Sequence, residues 1–171
     1  MSTSAGDLSS IIDRTRADLQ VSQDRLRSRW ASIVALESQM VDGTSCVLSA
    51  EQRRELNERL AGDVSAAQGI HGCLRWATRV DAGEKGQPSL VSEGLQAAVT
   101  RTASLMSSLE AASITLALTE ERAAVSFARL QTCRRFLAAA QQDLNLIAQE
   151  LTDLAGLVPP PPVRWQLRAV V

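Results

Sequence analysis

Histidine and lysine are almost missing from this chain: His71 and Lys85 are the only ones, and arginine supplies the rest of its 18 basic residues. A carboxylate-bridged di-iron bundle needs two histidines, each three residues after a glutamate, so the count excludes that chemistry. Charge of one sign is missing too. The 18 basic and 19 acidic residues are interleaved and leave a net charge of −1, which offers no electrostatic footprint for a phosphate backbone and argues against a nucleic-acid partner. Nowhere do about 18 apolar residues run together, so no membrane span is expected. The opening MSTSAGDLSS lacks the basic and apolar regions of a secretory signal. Three scattered cysteines, Cys46, Cys73 and Cys133, make no disulfide framework. The expectation is a reducing, cytoplasmic setting.

Glycine, proline and aromatic residues are scarce, while 45% of the 171 residues are hydrophobic. That is too apolar for disorder and too poor in turn formers and aromatics for a sheet protein, which leaves the all-α class. Helical periodicity then dominates. From Leu95 to Ala155 there is no glycine or proline, and one heptad phase passes through Leu95, Thr102, Leu109, Leu116, Ala123, Leu130, Leu137, Leu144 and Leu151. Three residues on lie Ala98, Leu105, Ala112, Thr119, Ser126, Cys133, Ala140, Ile147 and Leu154. Leucine facing mostly small side chains is the pattern of a seam where helix backbones come close.

The chain divides into four parts. Residues 1–80 read as an N-terminal helical hairpin. Its first helix runs from a cap at Asp7 to about Met40, with Ile12, Leu19, Leu26, Ile33 and Met40 at seven-residue spacing. Leu8, Ile11, Trp30 and Leu36 widen that stripe beyond a two-stranded seam. The second starts at the capping box Ser49-Ala50-Glu51-Gln52 and runs to about Val80, burying Leu56, Leu60, Val64, Ala67, Ile70, Leu74 and Ala77. Gly62, Ala66, Gly69 and Cys73 form a small-residue stripe along it, and its interior glycines read as a site of close backbone packing. Residues 81–88 (DAGEKGQP) read as an exposed linker, cut first by protease near Arg79 or Lys85. Residues 89–156 read as one long heptad-patterned helix, because the phase crosses Ser113–Thr119 without a skip. The alternative is a turn there and a compact four-helix bundle. Residues 157–171 are a polyproline spacer, Pro159–Pro162, and a docking tail in which Val163, Trp165, Leu167, Ala169 and Val171 alternate like a strand with no sheet to join. Pro159, Pro162 and Arg164 also have the P-x-x-P-x-R spacing read by aromatic grooves.

Candidate chemistry is thin. His71 on a helix invites a phosphotransfer reading, but Leu74 occupies the position where a basic residue usually follows. His71 and Cys73 diverge on a helix, and neither Cys46 nor Cys133 has zinc-site spacing, so no metal ligand is expected. Glu120 and Glu121 are adjacent and do not face each other, and no glycine-rich phosphate loop or nucleophile elbow is present. No catalytic, cofactor or small-molecule site is expected. The arginines near Arg134 are opposed by Asp143 and Glu150, so no basic membrane face forms. The chain therefore reads as an extended helical bundle or coiled coil. Its expected role is a non-enzymatic structural subunit that meets other coiled-coil subunits through Leu109, Leu116, Leu130, Leu137, Leu144, Leu151, Trp165 and Leu167. A helical secretion or assembly chaperone and a histidine phosphotransfer module are the alternatives.

Overall fold

In a computed structural model, residues 5–40, 45–85, 89–117 and 124–158 are described, the side chains of 5–7 and 82–85 excepted. Among them the chain forms α1 (Ala5–Ser38), β1 (Ser45–Val47), α2 (Ala50–Lys85), α3 (Leu90–Thr115), β2 (Ala124–Ser126) and α4 (Phe127–Leu157). Each helix packs on its neighbours in sequence, and α1 closes the ring against α4. The fold is an all-α helical bundle. At one end the strands pair antiparallel, with Cys46 opposite Val125.

The apolar stripes explain this packing. In α1 the heptad residues Ile12, Leu19, Leu26, Ile33 and, just past its end, Met40 are buried, with Ile11, Trp30 and Leu36 packed against their edge. The helix begins two residues before Asp7, the expected cap. At the start of α2 the capping box closes in both directions: Ser49 N–H donates to Gln52 Oε1 at 2.9 Å, and Gln52 N–H donates to Ser49 Oγ at 3.2 Å.

Three expectations need correction. The long helix over 89–156 is two helices: α3 ends at Thr115 and α4 starts at Phe127, so a turn near Ser113–Thr119 is the right reading. Ser113, Ile114 and Thr115 are poor helix formers, and the break is sealed by side chains at both ends. The Arg129 guanidinium donates to the Thr115 carbonyl (2.7 and 3.0 Å), satisfying an orphaned acceptor of the last turn. Ser126 Oγ accepts from Arg129 N–H to cap α4. The heptad phase survives because Leu116 and Leu130, two heptads apart, are both wholly buried on either side of the turn.

The linker is shorter than expected. Helix α2 continues to Lys85, and both Val80 and Asp81 are buried, with Ser89 Oγ donating to Asp81 Oδ2 at 2.8 Å to tie the start of α3 to the end of α2. Residues 86–88 lie outside the described residues, and Arg79 sits within a helix. The glycine stripe of α2 is not a packing seam either. A Cβ added at Gly62, Gly69 or Gly72 would meet nothing within 4 Å. Close approach occurs instead at Gly94, where an added Cβ would stand 2.6 Å from Leu154 Cδ2 of α4.

Candidate functional site

The leucines expected to meet a partner are spent within the chain. Leu109 and Leu116 of the α3 stripe, and Leu130, Leu137, Leu144 and Leu151 of α4, all belong to the single buried core, alongside Ala98, Ala112, Cys133, Ala140 and Ile147. Once the segment folds back at its turn, each half covers the other, and α1 and α2 cover the rest. Burying one such leucine contributes about 1.5–3 kcal/mol, and here the chain's own helices supply that burial. Trp165 and Leu167 lie outside the described residues, as do Thr119, Glu120, Glu121 and Ala123.

Charged side chains that the sequence did not single out form the polar ties between helices. Arg29 of α1 donates to Asp63 of α2 at 2.9 Å, with both side chains nearly out of solvent. Burial raises the Asp63 carboxyl above its ordinary value, and the Arg29 charge and hydrogen bond only partly offset that effect. Arg101 of α3 meets Glu150 of α4 at 2.6 Å. Arg134 of α4 reaches Glu37 of α1 at 2.7 Å and lies over the Trp30 ring, 4.7 Å from its centroid. Gln131 adds a bond to Glu37, and Gln23 one to Asn145. A signal was present for one of them: Asp63 interrupts the apolar face of α2 between Leu60 and Ala67. The others sit beside the stripes, where only the neighbouring helix reveals their purpose.

His71 is also a tie. Half-buried on α2, its Nδ1 lies 2.7 Å from Oγ1 of the fully buried Thr102 of α3. The Thr102 hydroxyl donates to the Val99 carbonyl at 2.8 Å, so the network assigns the shared hydrogen to Nδ1. Thr102, a polar intrusion in a leucine phase, is thereby satisfied from both sides. Cys133 is buried and its thiol is pushed up to about 12 by desolvation, so it packs as a small apolar residue. Among the described residues no three His, Cys, Asp or Glu side chains converge as a metal site. No helix among them is long and apolar enough to cross a membrane.

Two grooves flank α1. One, of about 230 Å³, lies against α2 and is lined by Leu36, Leu48, Leu56, Arg29 and Arg59. The other, of about 280 Å³, lies against α4 beside Trp30 and Leu137. Their arginines Arg29 and Arg59 are already paired, with Asp63 and Glu55.

Large apolar side chains left in solvent stand at both ends of the bundle, and Val21, Val34 and Leu146 stand along its sides. Val47 is 77% exposed, Ile114 75% and Phe127 41% where the ribbon sits, while Leu90 and Leu157 are exposed at the other end. Trp76 is half-exposed on α2. Compared with known proteins, the chain matches no family model, no curated protein and no solved structure.

Proposed function

We propose that this chain is a non-enzymatic structural subunit, a helical bundle that takes its place in a multichain helical assembly through its ends. One observation carries the reading: the bundle satisfies its own leucine core yet keeps its most exposed large apolar side chains at its ends, Val47 and Ile114 at one, beside Phe127, and Leu90 and Leu157 at the other, while Val21, Val34, Trp76 and Leu146 are less exposed along its sides. Isolated exposed apolar residues are ordinary on a surface, but clusters at element termini are suited to contact with another protein. The ionisable groups support the same reading. Arg29, Asp63, Arg101, Glu150, Arg134 and Glu37 are engaged with one another as helix ties, which leaves them no free role in acid–base chemistry. Partners are other helical protein subunits, met at surfaces other than the buried heptad seam. A cytoplasmic setting belongs to the same proposal.

The test is a native purification of tagged chain from its own cells, with cross-linking to map contacts. A companion at fixed stoichiometry is expected, with cross-links at the bundle ends, and Ile114→Glu together with Leu90→Glu should disperse it. A chain that purifies alone, with neither end contacted, would sink the subunit reading.

A further inference from the structure

The bundle carries a two-stranded ribbon, and the chain carries a strand-patterned segment outside the described residues. β1 and β2 pair only with each other, and Ser45–Val47 and Ala124–Ser126 make no backbone hydrogen bond outside that pair among the described residues. Among the described residues each strand therefore has one edge without a partner strand, a template for another strand. β1 is the more open of the two, with Ser45 and Val47 exposed. The alternating segment is Val163–Val171, joined to the end of α4 by four prolines.

Reach decides whether the two can meet within one molecule. β2 leads directly into α4, whose 31 residues rise about 46 Å, so the end of α4 stands that far from the ribbon. Trp165 follows the Val158 cap by seven residues, and seven fully extended residues span at most about 25 Å. Val171, thirteen residues past the cap, reaches at most about 46 Å, so only the last residue could touch the ribbon of its own bundle and the alternating segment cannot lie along it.

We propose that Val163–Val171 of one copy adds to the free edge of β1 of a second copy, as the third strand of a head-to-tail assembly. Four prolines in the extended polyproline form would carry the segment about 12 Å beyond α4 at little entropic cost. The main chain supplies pairing, and the alternating apolar side, Val163, Trp165 and Leu167, meets the exposed Val47, Ile114 and Phe127 at the ribbon end. The polar side carries Arg164 and Arg168 toward Glu51, which is exposed in the first turn of α2 and makes no ion pair among the described residues. Such a contact is heterologous: it uses a different surface on each copy, so it closes into rings or grows into chains.

The proposal rests on the subunit reading and deepens it by naming the partner as a second copy. Sedimentation equilibrium of the purified full chain is expected to show mass rising with concentration past that of a dimer. Trp165→Ala with Leu167→Ala should weaken association by roughly 30-fold or more with helical circular dichroism unchanged. Val47→Lys should do the same from the other side, and Ile114→Lys provides a second ribbon-end variant outside the strands. A mixture of the tail variant and a ribbon variant should form dimers and stop, because only one productive joint remains. A full chain that stays monomeric to about 1 mM, association that survives both the tail and the ribbon-end variants, or a mixture that regains no dimer would overturn it. A monomeric pure chain that still enters a stoichiometric complex in its cells would overturn this proposal and leave the subunit reading standing.

Discussion

The α3–α4 hairpin and the α1–α2 hairpin are built on the same plan and held by different forces. Between α3 and α4 the contact is close and apolar: Ala98, Ala112, Cys133 and Ala140 are wholly buried, Gly94 lets Leu154 in, and the ion pair Arg101–Glu150 sits toward the rim. Between α1 and α2 a groove of about 230 Å³ remains beside Leu36 and Leu56, and the tie is the ion pair Arg29–Asp63, closed off from solvent. Small side chains let two helices gain dispersion and burial together. A buried ion pair adds little net stability, because its attraction mostly repays desolvation, but losing one partner strands a charge. The α3–α4 hairpin is thus sensitive to what is put into its apolar contact, and the α1–α2 hairpin to the loss of a charge partner.

The largest effect should come from putting charge into the tight hairpin. Leu144→Glu places a carboxylate in the shared core with no partner, and loss of the cooperative unfolding transition by circular dichroism is expected; Gln142→Glu, on the exposed face of the same helix, should stay within about 0.5 kcal/mol of the parent. A stable Leu144→Glu bundle would mean that the core is not shared as described.

Next comes Arg29→Gln, which should cost about 3 kcal/mol at neutral pH because Asp63 loses the charge and hydrogen bond that offset its burial. Asp63 has a raised carboxyl in the folded protein, so the protonated form binds more favourably there than in the unfolded chain. Its contribution to stability is full below the unfolded value of 3.8 and is lost as pH climbs through the raised folded one. Removing Arg29 raises the folded value further. The penalty measured by urea unfolding should therefore shrink as the pH falls from 7 toward 4, and a penalty flat across that range would show that the lost term is packing.

Two glycines sharpen the contrast at lower energy. Gly94→Ala drives a methyl into Leu154 and should cost about 1–2 kcal/mol, less if the Leu154 side chain turns aside. Gly69→Ala meets open space in the middle of a helix and should stabilise by about 0.5–1 kcal/mol. Equal responses at the two sites, read from thermal unfolding, would erase the difference in packing between the hairpins.

His71→Ala should have a comparably small effect. Thr102 keeps its bond to the Val99 carbonyl, so a loss near 1 kcal/mol and an unaltered assembly are expected. An assembly that dissolves in this variant would assign His71 a role beyond joining α2 to α3.

The sequence by itself determined the helical class, the capping box at Ser49–Gln52 and most of the buried apolar positions, because a 3.6-residue period and a reciprocal cap are local properties. Tertiary structure alone decided what covers those positions. One heptad phase over Leu95–Leu154 is equally compatible with a continuous helix awaiting other chains and with two helices awaiting each other, since the period records which face is apolar and not what lies against it. Arg129 reaching back to Thr115, Asp63 meeting Arg29 and the pairing of Cys46 with Val125 each join residues distant in sequence. Such contacts leave little local trace, because their energy comes from proximity that only the folded bundle creates.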